Sequence, residues 1–179
     1  MAKVMKLATA STFLLTLVFV CLFFACGKWA MPYAITFGTC FYHFSMRLTV
    51  GHIINYKMHN RADYTKQWYQ QHPLESAVYT FLRVKKWKAN MPTYSPSVFD
   101  PKQHSWEEIV QAMCQAEIVH EVILVLSFLP LLAAIPFGAF YVFLFTSTAA
   151  ALYDLSFVIM QRYNRPRIIK FIKKERTVK

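Results

Sequence analysis

Hydrophobic positions fall into four long blocks separated by polar ground. The first, about Leu7 to Gly27, reads LATASTFLLTLVFVCLFFACG behind Lys3 and Lys6. Its apolar core exceeds the roughly 7–15 residues of a signal-peptide core, so a retained helix is expected. The second, about Trp29 to Tyr56, is apolar but carries His43, Arg47 and His52. After Ser105 the pattern turns apolar again, breaks at Pro130 and Pro136, and resumes to Met160. Since about 20 apolar residues cross a hydrocarbon core of about 30 Å, the blocks predict four spans, at about 7–27, 29–56, 106–129 and 137–160.

Residues 57–105 form a polar, aromatic-rich segment with Pro73, Pro92, Pro96 and Pro101. Within HPLESAVYTFLRVKKWK, Pro73 suits a first helical position, and Leu74, Val78, Phe81 and Leu82 follow at helical spacing. Arg83, Lys85, Lys86 and Lys88 surround Trp87, the signature of a helix lying at lipid headgroups. Ser105 and Glu108 have the spacing of a capping box, which places a helix start at Trp106. The basic tail 161–179 opens with QRYNRPR, and Pro166 disfavours a helical Arg165, so a bend is expected there.

Composition supports a single integral membrane domain of the all-α class, a polytopic helix bundle: 56% of the 179 residues are hydrophobic. The net charge of +11 would suit a nucleic-acid partner, but its distribution argues against one. Lys and Arg concentrate in the N-terminal tip, the central segment and the tail. This predicts both termini and the central segment in the cytoplasm of a multi-pass bacterial cell-membrane protein, with anionic phospholipids as neighbours. Cys21, Cys26, Cys40 and Cys114 have no CxxC spacing and read as small buried hydrophobes.

At about 1.5 Å per residue, Arg47 lies roughly 14 Å and Asp154 roughly 10 Å inside the cytoplasmic face. Glu117, His120 and Glu121 share one helical face and are expected to turn inward toward His43 and Arg47. A buried Glu–Arg pair that only fixes packing is one reading. The two accompanying histidines favour another, in which His120 is a general base oriented by Glu117. Metal chemistry through His43, Glu117, His120 and Glu121 is the chemical alternative, but neither a paired ExxH nor HExxH is present. No cofactor or metal is expected.

VKKWK, AEIVH and QRYNRPR, in that order, resemble the glycosyl-4,4'-diaponeurosporenoate acyltransferase family, small bacterial membrane enzymes of staphyloxanthin biosynthesis, over Phe81 to Ile168. The resemblance implies transfer of a fatty acyl group to a sugar hydroxyl of a membrane glycolipid, in that family a glycosylated carotenoid acid. It gives Glu117 and His120 the acid and histidine of the motif, and carries His43, Arg47 and Asp154 as support. Arg162, Tyr163, Asn164, Arg165 and Arg167 take the C-terminal motif. An acyl-CoA or acyl carrier protein donor is anionic and cytoplasmic, so these residues with Lys86 and Lys88 are expected to hold it. A non-enzymatic lipid-binding protein and a metal-dependent enzyme are the competing readings.

Overall fold

A computed structural model describes residues 2–178, and every described element is helical. The long helices are α1 (Ala2–Cys26), α2 (Met31–Met58), α5 (Trp106–Leu126) and α7 (Phe140–Val178). Shorter ones are α3 (Pro73–Phe81), α4 (Val84–Trp87) and α6 (Ala134–Phe137).

Three helical stretches, Ala2–Cys26, Trp106–Phe137 and Phe140–Lys174, are long and apolar enough to cross a membrane. The four spans expected from the pattern reduce to three by this measure. Of the four long helices it is α2, interrupted by His43, Arg47 and His52, that falls short despite its 28 residues.

α1 buries none of its side chains and meets α2 through rings: Phe19 stacks on Tyr33 and Phe37, and Phe13 tilts against Phe41. Cys21 and Cys26 therefore lie exposed, unlike buried Cys114. The turn between α1 and α2 needs Gly27, whose φ of 102° favours a residue without Cβ. α2 joins α5 through a core of Met46, Val50 and Ile123, and the Tyr42 hydroxyl donates to the Leu126 carbonyl at 2.8 Å. At its far end α2 stops at His59 in the left-handed conformation. Asn60 is then held by the buried Gln115 of α5, which accepts from its backbone N–H at 2.7 Å and donates to its side chain at 2.8 Å.

Both halves of the expected capping box form: Ser105 Oγ accepts from the Glu108 N–H, and the Glu108 carboxylate accepts from the Ser105 N–H at 2.8 Å. The helix predicted from Pro73 is interrupted instead of continuous. It breaks at Arg83, whose φ is 51°, and restarts as α4.

A larger correction concerns the tail. The expected bend at Pro166 does not occur, because α7 runs through it for 39 residues, about 58 Å. This is nearly twice a hydrocarbon core, so the part carrying QRYNRPR continues beyond the span as a helix. Proline in a helix interior costs about 3 kcal/mol, and the side-chain bonds of Arg162 and Arg165 described below offset it.

Candidate functional site

α5 and α7 lie against each other at the basic end of the bundle, and most of the buried charge sits between them. Two separate clusters result. In the first, Asp154 of α7, 1% exposed, accepts from His120 Nδ1 at 2.9 Å through one oxygen and pairs with Arg47 of α2 through the other. Arg47 also donates to the His43 carbonyl at 3.1 Å. The His120 ring stacks on Phe157 with centroids 4.4 Å apart and planes within 6°. A carboxylate paired with arginine accepts hydrogen bonds, so Nδ1 is the donor of this pair. Nε2 of His120 makes no hydrogen bond among the described residues, and with Nδ1 as donor it presents a lone pair.

In the second cluster Glu117 of α5, with no exposure, pairs with Arg162 at 2.7 Å and with Arg165. Arg162 spends its whole fork inside the protein. Nε and Nη2 reach Glu75 of α3, Nη1 reaches Glu117 and the Trp68 carbonyl, and Nη2 reaches the Gln70 carbonyl. Arg165, 1% exposed, donates to the Tyr69 carbonyl at 2.6 Å. The short turn Gln67–Tyr69 is thus strapped onto α7 by its carbonyls, and Trp68 Nε1 adds a bond to Glu121 at 3.1 Å.

These pairings correct two expectations. The carboxylate that bonds His120 is Asp154, while Glu117, expected in that place, pairs with Arg162 and Arg165. Arg47 meets Asp154 in place of Glu117. The residues weighed as alternative metal ligands, His43, Glu117, His120 and Glu121, do not converge: no group of three or more His, Cys, Asp or Glu stands together among the described residues.

A third feature lies outside the span. Tyr163 takes Arg167 over its ring at 4.0 Å and Lys88 at 4.9 Å, while Tyr79 meets it edge-on. Lys88 also donates to Asn164, and Lys86 stands exposed on α4. Among the described residues no carboxylate pairs with Lys86, Lys88 or Arg167. Burial, with Arg167 and Lys85 nearby, holds the Lys88 ammonium below its usual pKa, and an anionic ligand would relieve that. Glu75 shows the opposite balance: burial would raise its pKa, but bonds from Arg162 and Tyr79 outweigh burial and hold it low. Burial, then the Glu75 carboxylate, pushes the Tyr79 phenol up.

No curated protein and no solved structure matches the chain. A sequence model described as glycosyl-4,4'-diaponeurosporenoate acyltransferase matches residues 65–174, more than half of it. The chain belongs to this acyltransferase family.

The matched interval of the acyltransferase takes in the strap, α5 and most of α7, hence Glu75, Glu117, His120, Asp154 and the arginine motif. His43 and Arg47 lie before it. Sequence reasoning missed Glu75, Gln115 and the carbonyls of residues 68–70. Glu75 had a signal: it is one of only nine acids, in a segment otherwise rich in Lys and Arg.

Proposed function

We propose that this acyltransferase moves a fatty acyl group from a cytoplasmic thioester, acyl-CoA or acyl carrier protein, to a sugar hydroxyl of a membrane glycolipid. A glycosylated carotenoid acid is the acceptor that the family description suggests. The observation that carries the reading is the His120–Asp154–Arg47 chain, which leaves Nε2 as a base. His120 Nε2 takes the hydroxyl proton as the sugar oxygen bonds to the thioester carbon. The resulting tetrahedral intermediate then expels the thiolate, which recovers the proton from His120. Asp154 holds the ring and stabilises its protonated form, while Arg47 pairs with the second oxygen of Asp154. Serine and cysteine nucleophiles are not needed in this direct transfer.

Arg167, Lys86 and Lys88, with Tyr163 and Asn164, supply cations and donors for the phosphates of the donor. Arg162 and Arg165, fully engaged with Glu117, Glu75 and the strap, support that wall from within. From Arg167 back to Asp154 is 13 residues of α7, about 20 Å. A donor anchored at Arg167 must therefore present its thioester on an extended arm, as pantetheine thioesters do. The basic end faces the cytoplasm of a bacterial cell membrane in this reading, where anionic phospholipids also gather.

Purified protein in lipid nanodiscs, given labelled acyl-CoA and membrane glycolipid, is expected to form acylated glycolipid. His120→Ala should lower kcat by about 10²–10⁴-fold. Undiminished turnover in that variant would remove His120 from the chemistry, and absence of transfer to any glycolipid hydroxyl would reject the reaction.

A further inference from the structure

Outside the Glu117–Arg165 ion pair, the buried side-chain polar atoms without a hydrogen-bond partner among the described residues are both ring nitrogens of His43 and the hydroxyl of Ser147. Groups of this kind are rare and call for a ligand or water. Their places are related. His43 lies one turn before Arg47 on α2, and Ser147 two turns before Asp154 on α7. Both therefore sit beyond the Arg47–Asp154 pair, on the side away from the basic end.

Next to them opens a cavity of about 510 Å³ between α1, α2 and the connector that leads into α7. Tyr42, beside His43, and Phe143, one turn before Ser147, line it, and so do Met31 and Phe24 farther out. The wall is almost wholly apolar. Its two side-chain hydroxyls are already committed, Thr39 to the Ile35 carbonyl and Tyr42 to the Leu126 carbonyl. From Tyr42 to Met31 is 11 residues, about 16 Å, close to half of a hydrocarbon core of about 30 Å. Its length thus matches a chain that fills one leaflet, and the unpartnered groups lie toward one end of it, His43 next in the chain to Tyr42 and Ser147 one turn after Phe143.

We propose that the cavity holds the hydrocarbon chain of the acyl donor, with the thioester carbonyl oxygen accepting hydrogen bonds from His43 and Ser147 beside His120. The donor's identity rests on the acyl-transfer reading above. As the sugar oxygen adds to the carbonyl carbon, negative charge develops on the carbonyl oxygen, and a ring N–H of His43 and the Ser147 hydroxyl are the donors that would stabilise it. Collapse of the intermediate returns the carbonyl and releases the thiolate, which takes its proton from His120.

The test uses the full chain in nanodiscs and a long-chain acyl-CoA with a terminal diazirine. Photolysis is expected to label the segments Val20–Thr39 and Leu129–Phe143, and Ala34→Trp or Ala133→Trp should cut labelling at least tenfold. The same variants should lower the kcat/KM ratio of long-chain to octanoyl donor at least tenfold. Labelling confined to the outer face of α1, or an unchanged ratio in both variants, would overturn the chain site. His43→Leu and Ser147→Ala are expected to lower kcat at least tenfold with Tm unchanged or raised, since each removes an unpartnered polar group. Wild-type kcat in both would overturn the carbonyl seat. Photolabelling needs no turnover, so a labelled cavity without transfer would indict the reaction, and transfer without labelling would indict the cavity.

Discussion

Asp154→Asn distinguishes the two carboxylates that could serve His120. The substitution keeps the shape of the side chain but replaces an anion with an amide, which no longer fixes the Nδ1 proton or stabilises a protonated ring. In hydrolytic triads the equivalent change costs about 10⁴ in kcat, or about 5.5 kcal/mol of barrier. Stability falls as well, because Arg47 loses its partner. Removing one member of a buried pair costs about 3–5 kcal/mol, and the 14% exposure of the Arg47 side chain against 1% for Asp154 favours the lower end. Arg47→Met combined with Asp154→Asn leaves no lone charge, so it should recover most of the Tm and none of the activity. Glu117→Gln should behave differently. It leaves Arg165 buried without its counter-charge, lowering Tm sharply, while molecules that remain folded keep kcat within about tenfold. Labelled acyl transfer and thermal unfolding on the same nanodisc samples give both readouts. Near-normal kcat in Asp154→Asn, or a kcat collapse in Glu117→Gln at unchanged Tm, would refute the assignment of Asp154 as the partner of His120.

Glu75 links the strap to pH: its folded pKa lies below the ordinary 4.5, so its stabilising effect is present above 4.5 and lost as pH falls through the lower folded value. Wild-type Tm should drop steeply below about pH 4.5, whereas Glu75→Gln starts lower and follows a flatter curve; parallel curves would exclude this linkage. Pro166→Ala restores an N–H to a continuous helix and should raise stability by about 1–3 kcal/mol in thermal unfolding with activity retained, whereas a functional bend there would make it destabilising. Lys88→Gln and Arg167→Gln should each raise KM for acyl-CoA several-fold with kcat little changed, and high salt should narrow the difference from wild type; equal KM values at low salt would place the donor elsewhere.

Much of the fold could be read from local pattern because its causes are local. Apolar block length, the Ser105–Glu108 box and the shared face of Glu117, His120 and Glu121 all depend on residues within one or two turns. The partners of those side chains do not. Glu117 and His120 do share a face of α5, yet each is satisfied from α7, by Arg162 and Arg165 in one case and Asp154 in the other. Spacing within a helix cannot choose among acids and bases supplied by another helix. α2 shows the same limit: its charges were visible, but only packing reveals that Arg47 serves Asp154.

Pro166 shows how a sound local rule is overruled. It disfavours a helical Arg165 by a few kcal/mol. Against this stand bonds that require Arg162 and Arg165 to project from successive turns of one helix onto Glu117 and the carbonyls of residues 68–70. Each bond to a charged group is worth about 1.5–3 kcal/mol, so two or three of them suffice. The consequence reaches the site itself. Because Arg162 and Arg165 are spent inward on the wall that closes the bundle, the exposed Arg167 of α7 and Lys86 of α4, with the half-buried Lys88 beside Tyr163, are in the proposed reaction the groups left to meet an anionic donor.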